Sequence, residues 1–233
     1  MTAELPHELI ELLERIVLHN SDFANTKDLQ NLLILTAIKS DQSKAMDYII
    51  RLNNYNGPEL AKIAQDDQYK LYDEALQIYK KFGESVEAIK VILHKLNNLK
   101  AAQEFAMQSN QKEVWSELGK AQLDQSMPRE AIDSFIKAED PAYYLAVINM
   151  ASREECFDEL VQFLLMARKT LKEQTIDSEL IFAYAKCGDK CIGELENFIS
   201  EPNQADIQKV GERCFEARLY QSAKVLFTKI SNN

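Results

Sequence analysis

What most limits the fold of this chain is a short apolar outline that keeps returning. Residues 127–138 read Met-Pro-Arg-Glu-Ala-Ile-Asp-Ser-Phe-Ile-Lys-Ala, a helix with Pro128 in its first turn and Ala131, Ile132, Phe135, Ile136 and Ala138 on one face. The outline recurs from Tyr72 and from Tyr220, and in looser form from Gln42, Leu99, Phe157 and Ile192. The small or apolar residue one turn in supplies seven packing anchors, Ala45, Ala75, Ala102, Ala131, Leu160, Leu195 and Ala223. Their intervals are 30, 27, 29, 29, 35 and 28 residues. Two short helices and their turns fill about 30 residues, and such a unit cannot bury its apolar face without neighbours. The expected fold is therefore all-α, a right-handed superhelical α-solenoid of stacked antiparallel helix hairpins. It runs as one continuous segment over residues 1–233 in about seven two-helix units. Helix faces near both ends are as apolar as the internal ones, so a segment cut from a longer solenoid is expected.

Composition agrees with an ordered helical chain: 46% of residues are hydrophobic, with only six Gly and five Pro. The net charge is −10, and no basic run exceeds Lys80-Lys81, so a phosphate-neutralising surface is missing and nucleic acid is not an expected partner. An acidic surface is also repelled by anionic lipid head groups. No uncharged apolar run reaches membrane-spanning length, so direct membrane insertion is not expected. The first residues lack the basic start and apolar core of a signal peptide, which points to the cytosol.

Local signals place most helix ends. The Leu32-Leu-Ile-Leu35 run is apolar on too many sides for an exposed helix, and a loop is expected over 20–27. Gly57 is expected to supply a positive φ before Pro58 opens a helix, and Gly83 to end the helix before it. Asn110 and Glu113 have the spacing of a capping box, and Asp140-Pro141 that of an N-cap followed by proline at the first helical position. A longer helix is expected over 157–171, with Arg168 and Lys169 in its last turn.

Residues able to do chemistry are scattered. His7, His19 and His94 are far apart, and His7 and His19 sit at helix ends. Cys187 and Cys191 are four residues apart, with Gly188 breaking the helix between them, and no second cysteine pair completes a tetrahedral zinc site. These two, with Cys156 and Cys214, read as core or half-buried thiols. The six glycines are isolated and form no phosphate loop. The aromatic residues, among them Tyr48, Phe82, Phe105, Phe135, Phe163, Phe215, Tyr220 and Phe227, mostly repeat relative to the anchors and read as packing between hairpins, as does Trp115. No catalytic, cofactor-binding or metal-binding residue is expected, nor an enzyme. No single surface residue stands out for an interaction.

Several stretches are more specific than a generic repeat. They are Glu4-Leu-Pro-His-Glu-Leu-Ile-Glu-Leu-Leu-Glu-Arg-Ile-Val-Leu18, Asn31-Leu-Leu-Ile-Leu-Thr-Ala-Ile-Lys39, Val114-Trp-Ser-Glu-Leu-Gly-Lys-Ala-Gln-Leu123 and Glu130-Ala-Ile-Asp-Ser-Phe-Ile-Lys-Ala-Glu-Asp-Pro141. Leu165-Met-Ala-Arg-Lys169, Glu179-Leu-Ile-Phe-Ala183 and Gln208-Lys-Val-Gly-Glu-Arg-Cys214 follow. In this order and over nearly the whole chain they resemble the leg repeats of the clathrin heavy-chain family, from its outer half towards its middle. The resemblance implies a structural coat segment that supports lattice assembly on coated pits and coated vesicles in endocytosis and vesicle transport. It implies a cytoplasmic, peripheral location and other heavy-chain legs as partners. The match runs into the beginning of the light-chain-binding stretch, which adds the light chain as a partner to test near the C-terminal part. The family's propeller, ankle and trimerisation region are not represented, so neither trimerisation nor adaptor-peptide binding is expected of this stretch alone. Departures at 20–28, 66–72, 151–156 and 188–193 suggest a divergent lineage. An alternative is a helical-repeat subunit of a vacuolar or endosomal tethering complex acting as an interaction scaffold. The Glu4-Leu-Pro-His-Glu opening and the Val114-Trp-Ser stretch favour the former.

Overall fold

The computed structural model describes residues 5–19 and 22–231, so the expected loop at 20–27 is seen only from residue 22 on and residues 20 and 21 lie outside the described part. The described residues hold fifteen α-helices and no strand. The chain divides into two compact units, Met1–Ser109 and Asn110–Asn233. The first unit contains α1 (Leu5–Val17), α2 (Lys27–Ser40), α3 (Gln42–Arg51), α4 (Gly57–Ala64), α5 (Tyr72–Phe82), α6 (Ser85–Lys90) and α7 (Leu99–Ser109). The second contains α8 (Lys112–Asp124), α9 (Pro128–Ala138), α10 (Tyr144–Arg153), α11 (Phe157–Ala167), α12 (Gln174–Cys187), α13 (Ile192–Ser200), α14 (Ile207–Glu216) and α15 (Tyr220–Ser231).

Helices this short are marginal alone, and their stability comes from the face they bury. In the first unit α1 packs on α2 and α4 on α5; in the second α8 packs on α9, α11 on α12 and α14 on α15. Helices also meet the next but one: α2 with α4, α3 with α5, α9 with α11, α12 with α14 and α13 with α15. Pairing with both the next helix and the one after it is what stacked hairpins produce, so the fold is the expected all-α helical repeat. Each unit has its own core. Leu33, Ile34, Tyr48, Ile49 and Ile78 are sealed in the first, and Phe135, Phe163, Leu180 and Leu226 in the second. Burying one such side chain is worth about 1.5–3 kcal/mol.

The turns repeat as faithfully as the helices. At five of them an N–H beyond the helix reaches back five residues: Glu84 to the Tyr79 carbonyl, Met127 to Gln122, Asp140 to Phe135, Cys156 to Ala151 and Leu219 to Cys214, at 2.8–3.0 Å. The residue just before each donor, Gly83, Ser126, Glu139, Glu155 or Arg218, is left-handed, with φ between 53° and 75°. This is the Schellman closure, which satisfies the last carbonyls of a helix. Four of the five are not glycine and bear a cost of about 1–2 kcal/mol each for that conformation. Only Gly83 announced its turn in the sequence. After α6 the chain continues through a π turn, Val91–Lys95, where the Leu96 N–H meets the Val91 carbonyl at 3.0 Å. The wider turn lets three consecutive residues, Val91, Ile92 and Leu93, all be buried.

Several local expectations are corrected. Gly57 does not take a positive φ; it opens α4, and its reason is steric, because a Cβ there would lie 2.3 Å from Cδ2 of Phe82. Asn110 is no N-cap: it turns left-handed (φ 47°) after α7, and α8 begins at Lys112 with no side-chain cap bond. Asp140 instead accepts the Ala142 N–H at 2.9 Å in a side-chain turn, and α10 starts only at Tyr144, so Pro141 sits in the turn. The helix expected over 157–171 stops at Ala167, whose carbonyl takes the Leu171 N–H at 2.9 Å as the chain doubles back. Phe215 and Tyr220 are exposed although their pattern suggested packing, whereas Phe82 and Phe227 are only partly exposed and pack over Gly57 and Gly211. Ile50 is exposed as well. Ile50 is one helical step, about 100°, away from the sealed Ile49 and so points off the shared face.

Candidate interaction surfaces and turn anchors

The seven anchors all lie inside. Ala45, Ala75, Ala102, Ala131 and Leu195 are fully buried, and Leu160 and Ala223 are nearly so. Small residues there let helices approach closely. The same need explains two helical glycines that sequence reading passed over: a Cβ on Gly119 would lie 3.0 Å from the Phe135 ring, and one on Gly211 3.0 Å from the Phe227 ring. Each pair places a glycine of one helix under an aromatic of the next, sixteen residues on in both cases.

Two buried polar groups hold turns in the same way in the two units. In the first, the Gln30 Oε1 accepts the Asn54 N–H at 2.8 Å, and the Asn31 Oδ1 accepts the Asn56 N–H at 2.7 Å. The Gln30 Nε2 also donates to the Ala24 carbonyl at 2.9 Å. In the second, an Asp177 carboxylate oxygen accepts the Gln204 N–H at 2.8 Å, and the Ser178 Oγ accepts the Asp206 N–H at 3.1 Å. Adjacent polar residues on one helix thus fasten alternate amides of the turn leading into α4 or α14. The second Asp177 oxygen takes the Arg168 Nε at 3.1 Å, and that guanidinium lies 4.5 Å from the centre of the Phe198 ring. Sequence reading missed this pair of devices, because nothing local ties Gln30 or Asp177 to a turn nearly one repeat later; a polar residue at an otherwise apolar register position was the available signal.

Between repeats, ion pairs recur at about one repeat length of sequence. Lys44 meets Glu14 at 3.1 Å, Arg129 meets Glu159 at 2.9 Å, Lys190 meets Asp158 at 2.8 Å and Arg213 meets Glu179 at 2.5 Å. Solvent-exposed pairs of this kind contribute about 0–1 kcal/mol each, so they tune the stacking more than they create it. The Tyr48 hydroxyl also donates to Glu14. That bond and the Lys44 ammonium hold the Glu14 carboxyl below the usual range, against the opposing effect of burial. Lys81 closes the end of α3, its ammonium donating to the carbonyls of Ile49 at 2.8 Å, Ile50 at 2.9 Å and Leu52; burial lowers its pKa.

The outer surface offers separate apolar points. Leu12, Phe23, Ile50, Met107 and Leu145 stand exposed, as does the edge-to-face pair Phe215–Tyr220, with ring centres 5.5 Å apart. A groove of about 970 Å³ over α9 and α11 is lined by Ile136, Glu139, Gln162, Leu165, Met166 and Lys169. The three histidines are all exposed. Trp115 is buried, its indole N–H without a hydrogen-bond partner, and the Lys137 ammonium lies 4.4 Å from its ring centre. Cys156 and Cys214 are buried thiols, and burial pushes Cys214 up to about 11. Cys187 and Cys191 are half-buried, and the structure brings them to Asp158, a residue that no sequence spacing connected with them.

Stacked hairpins with small buried anchors, turns fastened by buried polar residues and scattered exposed apolar residues define a helical-repeat protein. The chain belongs to the family described as the region in clathrin and VPS, whose model matches residues 1–130 and 135–233. It is 53% identical over 232 residues to a clathrin heavy chain of Drosophila melanogaster and 53% identical over 232 residues to that of Dictyostelium discoideum. It is 49% identical over 232 residues to clathrin heavy chain 2 of Homo sapiens. Each match covers 100% of this chain, which spans 14% of the length of these relatives.

Proposed function

We propose that residues 1–233 serve as a segment of a clathrin-type coat leg, a structural part in one run of about seven two-helix units. In this reading it supports lattice assembly on coated pits and coated vesicles during endocytosis and intracellular vesicle transport, at a cytoplasmic, peripheral location. Its partners are other heavy-chain legs and, towards the C-terminal part, the light chain. The carrying observation is the identity of about half the residues to clathrin heavy chains along the whole chain, from an amoeba to animals. The tethering-subunit reading is not favoured, because these relatives all carry the clathrin name although the family model also spans VPS proteins.

The physical case is that of a spacer with many modest contacts. Each hairpin leans on its neighbours, so stiffness accumulates along the repeat. Isolated exposed apolar residues and single ion pairs give contacts that are weak one at a time. They combine when assembly raises the local concentration, and they can be undone. The test is a chimera in which this segment replaces its counterpart in a relative's heavy chain, with assembly followed by light scattering and electron microscopy. Closed coats at near-normal yield support the reading. A chimera that folds and forms legs but never assembles overturns it. Mixing the chain with purified light chain on a sizing column tests that partner separately.

A further inference from the structure

We propose that Asp158, Cys187 and Cys191 form a binding site for a thiophilic divalent cation of the zinc type. The two thiol sulfurs and a carboxylate oxygen all lie within 4.8 Å of one another. Both cysteines are free, and both are half-buried beside an exposed carboxylate, so the site is reachable from solvent. Local folding brings the three together. α12 ends at Cys187, Gly188 turns with φ 73°, and a 3-10 turn over Gly188–Cys191 swings the second sulfur back towards the first. Asp158 comes from the first turn of α11, one repeat earlier, and the Lys190–Asp158 ion pair at 2.8 Å already holds the turn against that helix.

The donor set selects the ion. Two sulfurs and one carboxylate suit zinc, with metal–sulfur bonds of about 2.3 Å and metal–oxygen bonds of about 2.0–2.2 Å. Hard cations such as magnesium and calcium ask for oxygen ligands and are poor occupants. Tetrahedral closure around zinc needs the sulfurs less than about 4 Å apart, a contraction of at most about 1 Å from the limit observed, which rotation of two half-buried side chains supplies. The fourth position is left to water. On binding, each thiol gives its proton to solvent and its sulfur lone pair to the metal, with no change of oxidation state; binding therefore weakens as pH falls. The bound ion staples the α12–α13 turn to α11.

The test uses the reduced, metal-free 233-residue chain. Cobalt(II) is added first, to read sulfur-to-metal charge transfer and the visible bands of a tetrahedral ion, and zinc is then titrated against a chromophoric chelator. The expected result is one ion per chain, a thiolate charge-transfer band, displacement of cobalt by zinc, and no response to magnesium. Cys191→Ser should abolish the band, and Asp158→Asn should weaken zinc binding by at least about tenfold. Asp158 is exposed and Cys191 half-buried, and circular dichroism checks that each variant keeps its helices. Binding that survives Cys191→Ser overturns the proposal, as does binding that needs millimolar zinc. So does a chain that forms a Cys187–Cys191 disulfide on air exposure and takes no metal when reduced.

Discussion

Replacing Asp177 by alanine should loosen the turn before α14 and cost about 2–4 kcal/mol of stability in the second unit. The figure comes from two bonds. Asp177 is 7% exposed, and one of its oxygens receives the Gln204 N–H at 2.8 Å. Deleting the acceptor leaves that amide without a partner in a partly buried turn, at about 1–3 kcal/mol. The other oxygen holds Arg168 at 3.1 Å, but that side chain is 27% exposed and can turn to water, so its share is about 1 kcal/mol. Asp177→Asn keeps a carbonyl oxygen for Gln204 and loses the charge facing Arg168, so about half the effect is expected. Arg168→Ala should cost about 1–2 kcal/mol, part of it the cation–π contact with Phe198. Urea unfolding measures the totals, and native-state hydrogen exchange locates them. The Gln204 amide should lose most of its protection in Asp177→Ala and little in Arg168→Ala. Unchanged exchange at Gln204 in Asp177→Ala, or a loss of stability below about 0.5 kcal/mol, would refute the reasoning.

Other expectations follow from single contacts. Glu14 has a lowered pKa in the folded chain, chiefly from the Tyr48 hydroxyl and then Lys44, so its contribution is complete above the unfolded carboxyl value of about 4.3 and disappears as pH falls through the folded value. The stability gap between the natural chain and Tyr48→Phe should accordingly narrow on acidification below that point; a gap constant with pH in chemical denaturation would contradict this. Gly57→Ala must push Phe82 off α4 and out of its edge-to-face contact with Tyr55, 4.9 Å between ring centres, costing about 1–3 kcal/mol by thermal melting. Ala131→Leu forces extra carbons into a fully buried anchor and should cost about 1–3 kcal/mol or more, whereas the exposed Leu145→Ala should stay within about 0.5 kcal/mol. With a net charge of −10, the isolated chain should self-associate more readily at mildly acidic than at neutral pH, as followed by light scattering, because protonation reduces mutual repulsion.

The repeat itself was legible in the sequence because it depends on local order. A helix of about three turns needs only an apolar face and a place to stop, and both are written within a dozen residues. That is why Ala45, Ala75, Ala131 and their counterparts, together with Gly83, could be placed from periodicity and turn chemistry alone. Tertiary structure decided what depends on partners a repeat or more away. Gly57, Gly119 and Gly211 are small because an aromatic ring from the next helix occupies the space a Cβ would need, not because their backbones require it. Gln30 and Asp177 owe their burial to turns 24 and 27 positions later that come back to donate their amides. Asp158 meets Cys187 and Cys191 only because one hairpin stacks on the next. Side-chain periodicity records which face of a helix is covered; it carries no record of which distant group covers it, since that is set by packing geometry and not by local propensity.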